Sequence, residues 1–330
     1  MSGWGQRLVD QAWYGSRFWT LPLLPLSALL ATVARRRLRQ HRQRAGESDP
    51  PVPVIVVGNI TAGGTGKTPL VSALARAARQ RGLRPAIISR GYRARPASLP
   101  WLVTEDQDSR FCGDEPLLLA RETGVPVVID PDRRRALEFV VSEFDADLVI
   151  SDDGLQHYNL PRSYEIVVVD GQRGLGNGHC LPAGPLREPA SRLDDVDMVV
   201  INGTGKPGIS GVLMTLEPGD PRPLTGGAAV PLNEFLERHP EVSALAGIGN
   251  PQRFFAMLET LGFQVDGHPF ADHHRFRPAD LDFATGKTLL MTEKDAVKCA
   301  AFAGANHWVI PVQASLPDGI LEKIFSEASG

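Results

Sequence analysis

The chain has 330 residues, 42% hydrophobic and 22% charged, and this ordinary globular composition excludes a wholly disordered protein. Its three cysteines are odd in number and far apart, at positions 112, 180 and 299, which argues against a disulfide framework or a zinc site. The net charge is −3, but residues 1–44 contain eight arginines and a single acidic residue, so the remaining body is acidic. The acidic region 45–330 gives no support for a nucleic-acid groove. Residues 1–44, called the basic head below, indicate an anionic surface as a partner.

The first predicted element is an apolar segment within this basic head. Phe18 to Ala34 is a run of 17 residues without a charge, preceded by Trp4 and Trp13 and followed by six arginines in 35–44. As a helix the run would be about 25 Å long, slightly shorter than the roughly 30 Å hydrocarbon core of a bilayer. We predict that residues 1–44 form a membrane-associated helix and basic segment, with the basic end on the cytoplasmic side.

Several interpretations of this head stay open. A short span and a helix lying in the interface both fit the pattern, and Pro22 and Pro25 weaken a straight span. A secretory signal cleaved after Ala34 and a buried core helix would also account for the apolar run. The adjacent arginines argue against both of them.

The next predicted element is a strand, a glycine-rich turn and a helix. After a linker at 45–53 comes the apolar run Val52–Val57, then TAGGTGKT, then the helix-forming sequence ALARAARQRG. This context is typical of a phosphate-binding loop, in which backbone N–H groups and the helix N-terminus surround phosphate oxygens. The predicted nucleotide-binding residues are Thr61, Ala62, Gly63, Gly64, Thr65, Gly66, Lys67 and Thr68.

Within this loop, Lys67 is expected to reach the β- and γ-phosphates and Thr68 to ligate Mg²⁺. One position departs from the usual pattern, because Thr61 stands where the first glycine is expected, although Gly63 and Gly64 can still supply the bend. The loop therefore predicts a nucleoside triphosphate as a ligand.

Continuous β-branched runs separated by helical patterns predict an α/β fold with a parallel sheet covered by helices on both faces. The predicted strands are Val54–Val57, Ala86–Ser89, Val125–Ile129, Leu148–Ser151, Ile166–Val169 and Met198–Ile201. A Gly- and Pro-rich stretch at 203–230 predicts a domain junction. We expect a P-loop domain at 45–215 and a smaller α/β domain at 216–330, with strands at Val242–Ala246, Thr288–Met291 and Trp308–Val312.

Two carboxylates end one of these strands. Asp152 and Asp153 follow the apolar run Leu148–Ser151, and a strand carboxylate beside a phosphate loop usually holds Mg²⁺ directly or through water. One of the two is expected to cap the next turn, and Asp152 is the preferred metal-side residue. Gln156 and His157 follow, at the carboxyl end of the strand where open α/β sheets bind their ligands.

The remaining candidate residues each allow a structural and a functional interpretation. Asp114, with Glu115 beside it, precedes a helical pattern and is either an N-cap or a general base. His273 lies in a loop between Pro269 and Phe276, where it is a candidate catalytic orienter. Arg90 follows a strand, and Arg187, with Glu188 beside it, follows a Pro/Gly-rich turn; each arginine either reaches phosphate or is a solvated surface side chain.

Taken in order, seven segments resemble the tetraacyldisaccharide 4′-kinases of lipid A biosynthesis. The segments are VVGNITAGGTGKTP at 56–69, SRGY at 89–92, GDEP at 113–116, SDDGLQH at 151–157, PAGPLRE at 182–188, DHH at 272–274 and MTEKDAVK at 291–298. The ordered set is far more specific than any single segment. Thr61 in place of the first loop glycine matches the family's own form of the motif.

This resemblance implies transfer of the γ-phosphate of ATP to the 4′-hydroxyl of a tetraacylated glucosamine disaccharide 1-phosphate, giving lipid IVA. It implies ATP and Mg²⁺ as cofactors, an acylated disaccharide lipid as substrate, and an active site between two α/β domains at the cytoplasmic face of the inner membrane. No nucleic acid and no obligate protein partner is expected. By motif, Asp114 becomes the general base and His273 its partner, Lys67 and Thr68 take the phosphates and Mg²⁺, Asp152 and Asp153 lie on the metal side, and Arg187 and Glu188 belong to the active site.

The main competing hypothesis is a membrane-associated regulatory ATPase of the positioning or partitioning type, which also uses a GGTGKT loop. Those proteins have a signature lysine immediately before the two glycines, where this chain has Ala62. A GTPase fits less well, because Thr292-Glu293-Lys294-Asp295 does not match the guanine-reading Asn-Lys-x-Asp motif.

Overall fold

A computed structural model describes residues 9, 11–15, 17–44, 49–205 and 208–330. Trp4 and the first half of the predicted linker, residues 45–48, lie outside the described residues. The chain separates into two compact units: a larger one formed by residues 2–216 with 314–330, and a smaller one formed by residues 217–313.

The strands of the described residues are numbered β1 to β14 in chain order. They are β1 Val54–Gly58, β2 Pro85–Ser89, β3 Trp101–Val103, β4 Val127–Ile129, β5 Leu148–Asp152, β6 Tyr164–Asp170, β7 Met198–Asn202, β8 Val212–Pro218, β9 Arg222–Pro223, β10 Glu241–Ala246, β11 Gln264–Pro269, β12 Leu289–Met291, β13 His307–Val309 and β14 Val312–Ser315.

The α-helices of the same residues are numbered in the same way. They are α1 Leu24–Arg44, α2 Lys67–Gln80, α3 Ser109–Cys112, α4 Asp114–Thr123, α5 Arg133–Phe144, α6 Leu232–Arg238, α7 Pro251–Thr260, α8 Glu293–Cys299 and α9 Ile320–Ser329. Short 3₁₀-helices occupy Arg17–Leu23, Ala190–Asp195, Pro278–Ala284 and Ala300–Phe302.

The larger unit is built on a nine-stranded sheet in the order β14-β8-β7-β6-β1-β5-β2-β4-β3. Its central strands pair in parallel, and every residue of β1, β2 and β5 is buried. Strands buried on both faces need the continuous β-branched runs that this sequence contains. The predicted α/β fold with a parallel sheet is confirmed.

Strand order places the phosphate loop beside the paired carboxylates. β1 lies next to β5, with Val57 opposite Asp152 in register. Because the two strands are parallel, the segments that leave their carboxyl ends emerge side by side at one edge of the sheet. The loop after β1 and the residues Asp152 and Asp153 are therefore neighbours, although Thr68 and Asp152 are 84 positions apart along the chain.

The smaller unit has its own five-stranded sheet in the order β11-β10-β12-β13-β9. β10, β11 and β12 are parallel, so the segments after Ala246, Pro269 and Met291 leave the same edge. An aromatic cluster fills one face of this sheet, where Phe235 packs against Phe263 and Trp308 with ring centroids 6.1 and 4.8 Å away.

The division of the chain differs from the sequence-based one at its C-terminus. The sequence assigned 216–330 to the second domain and a strand to Trp308–Val312. In the structure that run splits: β13 belongs to the small sheet, whereas β14 joins the edge of the large sheet. α9 also returns to the larger unit, where Glu327 accepts a hydrogen bond from the Tyr164 hydroxyl at 2.9 Å. The predicted junction at 203–230 also contains two strands, β8 and the short β9, that the sequence did not indicate.

The predicted apolar segment of the head contributes a 3₁₀-helix and the first part of α1. Pro22 lies inside the 3₁₀-helix and Pro25 in the first turn of α1, where a missing backbone N–H breaks no helical hydrogen bond. No helix among the described residues is both long enough and apolar enough to cross a bilayer. Four apolar side chains of this segment are exposed: Leu21, Leu26, Leu29 and Val33.

Candidate active site

The phosphate loop turns directly from β1 into α2. Gly66 is the N-cap of α2 with φ 86°, and a Cβ at this position would lie 2.1 Å from Nδ2 of Asn202, so only glycine fits. Gly63 also has a positive φ, of 99°. A glycine N-cap offers no side-chain acceptor to the first-turn N–H groups, which suits a helix end that receives phosphate.

Two asparagine side chains donate hydrogen bonds to backbone carbonyl groups of the loop. Asn59 Nδ2 donates to the carbonyl oxygen of Gly63 at 3.1 Å, and Asn202 Nδ2, from the end of β7, donates to that of Thr65 at 2.9 Å. Neither residue was predicted from the sequence. The position of Asn202, directly after a predicted strand, was the available signal.

The segment Pro185–Arg187 supports the other side of the loop. Ala62 N donates to Pro185 O, and Arg187 N donates to Ile60 O, both at 2.7 Å. Thr61 and Leu186 form an antiparallel bridge. This pairing makes Thr61 a buried part of a small ladder, which explains why a β-branched residue is accommodated where a glycine is usual.

Asp153 is held between two cations. Its carboxylate lies 3.4 Å from Lys67 Nζ and accepts hydrogen bonds from Arg187 Nη1 at 3.3 and 3.2 Å. Burial alone would raise the pKa of Asp153, but the charges of Lys67 and Arg187 outweigh it and hold the pKa well below its usual range. The residue also adopts a left-handed backbone with φ 48°, which turns it away from the course of β5.

Asp152 has the opposite environment. It is 2% exposed and accepts a hydrogen bond from the Ser89 hydroxyl at 3.2 Å. Burial, reinforced by the nearby negative charge of Glu115, raises its pKa to about 7 against the pull of Lys67. A carboxyl group with this pKa is poised to ionise when a cation arrives.

Arg133 donates a hydrogen bond to the backbone of Asp152, and it was not predicted from the sequence. Its Nη1 donates to Asp130 O at 2.8 Å and its Nη2 to Asp152 O at 3.1 Å. Burial lowers the pKa of Arg133 to about 10, so the guanidinium remains charged at neutral pH. The run of three arginines at 133–135 was the available signal, but a surface helix offers the same pattern.

Glu188 occupies a buried network below the loop. Its Oε1 accepts from Gln156 Nε2 at 2.6 Å, and its Oε2 accepts from the Tyr158 hydroxyl at 2.9 Å and lies 3.2 Å from Nε of the buried Arg192. Gln156 Nε2 also donates to Asn59 O at 3.1 Å. Arg187 and Glu188 are adjacent but have different contacts. Arg187 binds Asp153, whereas Glu188 holds the Gln156 side chain, which in turn donates to Asn59 O before the loop.

His157 lies among these groups as a neutral side chain. Burial, together with the positive charges of Arg133 and Arg90, lowers its pKa to about 4. At neutral pH its imidazole can therefore donate one hydrogen bond and accept another without adding charge.

The structure changes the interpretation of Asp114. The N-cap of α4 is Gly113, with φ 89° and ψ 152°, and Asp114 is the first residue of the helix. The N-cap interpretation is therefore wrong. Asp114 and Glu115 form an acidic first turn, which the helix dipole favours. Gly113 lies close to the segment 89–92: a Cβ at this position would be 3.4 Å from Tyr92 O.

His273 lies in the smaller unit, whereas every other predicted site residue lies in the larger one. It has a left-handed backbone with φ 59°, and its Nε2 is 3.8 Å from an oxygen of Asp272. Its neighbour His274 is engaged elsewhere, with Nε2 3.1 Å from Oδ2 of Asp280 and its ring against Phe276.

A cavity of about 840 Å³ lies within the larger unit, and its lining includes Arg133, which donates to Asp152 O. Gln156 and His157 also line the cavity, and α1 supplies Arg37 and His41. Its lining contains four arginines, Arg37, Arg133, Arg134 and Arg162, against two aspartates, Asp49 and Asp132. A cavity with this lining suits an anionic, strongly hydrogen-bonding ligand.

The oxygen ligands around the loop suit Mg²⁺ bound together with nucleotide phosphates. Thr68 is the second residue of α2, and Asp152 and Asp153 end the neighbouring strand. Within the described residues no cluster of three or more His, Cys, Asp or Glu side chains could form an all-protein metal cage. Mg²⁺ typically uses one or two carboxylates and completes its shell with water and phosphate, which these residues fit.

Known proteins resemble the chain over almost its whole length. A sequence model of the family described as tetraacyldisaccharide-1-P 4′-kinase matches residues 19–329. The chain is 55% identical over 322 residues to the tetraacyldisaccharide 4′-kinase of Alcanivorax borkumensis, covering 98% of this chain and 97% of that one. It is 52% identical over 309 residues to the enzyme of the same name from Azotobacter vinelandii, covering 93% and 92%.

A solved structure shows the same likeness. The crystal structure of LpxK from Aquifex aeolicus in complex with ATP has a TM-score of 0.76 and 27% sequence identity to this chain. The match covers 95% of this chain and 100% of that one.

The raised pKa of Asp152 predicts a stability change in Asp152→Asn. In the ligand-free protein the folded state keeps the Asp152 proton up to about pH 7, while the unfolded chain releases it near its ordinary value of 3.8. Stability should therefore fall as pH rises from about 4 to about 7, and Asn should remove this loss. In urea unfolding, the stability of the variant relative to wild type should rise by at least about 1 kcal/mol between pH 5 and pH 8. Equal differences at both pH values would contradict the assignment.

Proposed function

The chain belongs to the tetraacyldisaccharide-1-P 4′-kinase family, and on that premise we propose that it transfers the γ-phosphate of ATP to the 4′-hydroxyl of a tetraacyldisaccharide 1-phosphate. The product is the 1,4′-bisphosphate, lipid IVA, of lipid A biosynthesis. The observation that carries the proposal is the cluster of Lys67, Asp153 and Arg187 beside a glycine-rich loop at the carboxyl edge of a parallel sheet. Such a cluster places two cations where the phosphate charge develops.

The phosphate-binding residues divide into backbone and side-chain contributions. The N–H groups of residues 63–68, at the turn into α2, would surround the β- and γ-phosphates, whereas the Ala62 N–H is already bonded to Pro185 O. Lys67 and Arg187 are held by Asp153 in the ligand-free protein, and incoming phosphate oxygens compete for both cations. Preorganised cations of this kind lose little free energy to reorientation when the phosphoryl group moves.

Mg²⁺ would be held by Thr68, Asp152 and Asp153 together with the nucleotide. When bound, it neutralises charge on the β- and γ-phosphates. The chain's own residues prepare this place: Ser89 and Arg133 fix Asp152, and the two cations fix Asp153.

The acceptor hydroxyl must lose a proton as it attacks. We assign this proton to Asp114, the first residue of α4, with His273 as its partner. Both assignments come from the motif resemblance, and a carboxylate oxygen is chemically able to accept the proton of a hydroxyl group.

We propose that the basic cavity receives the glucosamine and phosphate groups of the acceptor. Its lining includes Arg133, which donates to Asp152 O, so a sugar in the cavity would lie near this carboxylate. Arg162 is already used, since it donates to three backbone carbonyl groups and pairs with Glu165 at 2.7 Å. Arg37 and Arg134 are the better candidates for a phosphate, because both side chains are exposed.

α1 is the proposed membrane contact at the cytoplasmic face of the inner membrane. Leu26, Leu29 and Val33 are exposed at spacings of three and four residues, so they form one apolar stripe of the helix. The arginines that follow would meet anionic lipid headgroups. A substrate whose acyl chains remain in the bilayer requires an enzyme that works at its surface.

The decisive experiment is incubation of the full chain with γ-labelled ATP and two acceptors, a tetraacyl disaccharide 1-phosphate and a diacyl monosaccharide. We expect label on the 4′ position of the disaccharide. Hydrolysis of ATP at the same rate with and without either acceptor would instead favour the regulatory ATPase.

Lys67→Ala should lower kcat by at least about a hundredfold, because Lys67 is expected to stabilise the transferring phosphoryl group. Arg76→Ala removes a cation from the same helix and should keep kcat within about twofold. Activity of Lys67→Ala near that of wild type would remove the phosphate-loop assignment.

Arg37→Ala should raise the KM for the disaccharide by about tenfold and leave the KM for ATP unchanged, because a charged hydrogen bond to phosphate contributes on the order of 1.5–3 kcal/mol. Arg36→Ala is the matched control, since it removes the same charge from the adjacent position of α1. If both variants raised the KM for the disaccharide equally, Arg37 would contribute only general positive charge and would not bind the phosphate.

Replacing Leu26 and Leu29 by serine should weaken binding to vesicles of anionic phospholipid by tenfold or more, because each buried leucine contributes roughly 1.5–3 kcal/mol. High salt should release wild type only partly, since it screens the arginines and not the apolar contact. Leu213→Ser, which alters a leucine that is 52% exposed elsewhere, is the control. Unchanged vesicle binding of the double variant would exclude this face of α1 as the contact.

A further inference from the structure

The segment Met291–Lys298 contains four charged residues that the proposed transfer does not use. It follows β12 and enters α8. Because β10, β11 and β12 are parallel neighbours, this segment lies at the same edge as the loops after β10 and β11. The loop after β11 carries His273.

One of the four charges has a purely structural role. Asp295 is fully buried, and its Oδ2 accepts hydrogen bonds from the Thr292 hydroxyl at 2.7 Å and from Gly247 N at 2.8 Å. Its Oδ1 is 2.6 Å from Lys298 Nζ. Asp295 thus ties the start of α8 to the loop after β10, which gives α8 a fixed position at this edge.

The neighbouring Lys294 contacts the loop after β11, which carries His273. Its Nζ donates to Oδ1 of Asp272 at 3.0 Å, and the two side chains are only 15% and 28% exposed. β10 separates β11 from β12 in the sheet, so this contact spans a strand. A half-buried ion pair on a fixed helix is a more precise constraint than an exposed one.

Asp272 in turn acts on His273 through both of its oxygens. Oδ1 accepts a hydrogen bond from the His273 backbone N–H at 3.0 Å, and Oδ2 is 3.8 Å from Nε2 of its imidazole. The backbone of His273 is left-handed, with φ 59°, a conformation that a non-glycine residue keeps only when its surroundings hold it. Burial would raise the pKa of Asp272, but the charges of Lys294 and then His273 outweigh it and lower the pKa.

We infer that Lys294 and Asp272 form a positioning pair that fixes the backbone and the imidazole of His273 for phosphoryl transfer. Lys294 keeps the carboxylate of Asp272 ionised and in place, and the carboxylate holds the strained backbone and faces the ring. The inference rests on the proposed role of His273 in the reaction. It assigns neither Lys294 nor Asp272 a contact with the substrate.

The test compares Lys294→Met, Lys294→Arg and His273→Ala with the double variant Lys294→Met/His273→Ala. Lys294→Met should lower kcat on the order of tenfold or more, because small displacements of a catalytic group are costly. The KM for ATP should be unchanged. Lys294→Arg should recover most of kcat, and the double variant should match His273→Ala, since a positioning pair has no effect once its target is gone. Lys287→Met is the matched control, because Lys287 forms an exposed pair with Asp266 in the same unit at 3.2 Å.

Equal loss from Lys294→Met in both backgrounds would overturn the positioning pair and leave the role of His273 standing. Wild-type kcat in His273→Ala would overturn the proposed role of His273 first, and the pair with it. A second readout covers a variant too unstable to assay at working temperature. In nitrogen-15 spectra of the folded protein recorded in the cold, Lys294→Met should shift the imidazole signals of His273 and leave those of His274 in place. Unshifted His273 signals would also overturn the inference.

Discussion

Two adjacent aspartates at the end of one buried strand are the constraint on which the larger unit depends. Asp152 and Asp153 carry like charges at neighbouring positions, and the sheet buries their surroundings. A low-dielectric site cannot hold two such charges without compensation. The structure resolves this by separating their environments: Asp153 turns out of the strand to meet Lys67 and Arg187, and Asp152 stays buried beside Ser89 with a raised pKa.

That separation links binding to chemistry. The ligand-free site carries a net positive charge, because two cations, Lys67 and Arg187, accompany one ionised carboxylate and one that holds its proton near neutral pH. A nucleotide brings several negative charges, which draw on Lys67 and Arg187 and favour a divalent cation. In the proposed reaction, a divalent cation bound with the nucleotide would offset the negative charge of an ionised Asp152. Titratable neighbours with pKa values pushed apart are typical of functional sites.

The features that follow from strand order could be predicted from the sequence, and those that depend on distant pairing could not. The glycine-rich loop and the carboxylates after Ile150 were predictable, because a buried run followed by polar residues marks the end of a strand. The return of β14 and α9 to the larger unit was not, since strand pairing leaves no local signal in a four-residue strand. The sequence also could not show that Arg187 contacts Asp153, whereas Glu188 contacts other residues. Glu188 accepts hydrogen bonds from Gln156 and Tyr158 and pairs with Arg192. Periodicity places both residues in a loop and does not orient them.

The buried charges away from the loop show a further use of ionic groups in this fold. The Glu188 network and the Asp295 cluster are expensive to desolvate, and apolar side chains of similar size could fill the same space. Each network instead fixes one backbone segment: Gln156 bonds to the carbonyl of Asn59 under the phosphate loop, and Asp295 bonds to Gly247 N at the edge of the smaller sheet. An apolar core would supply comparable stability without directing a hydrogen bond to a particular carbonyl or N–H group. The charged motifs of this sequence therefore divide into groups that meet the ligand and groups that hold the loops, and only the contacts of each side chain distinguish them.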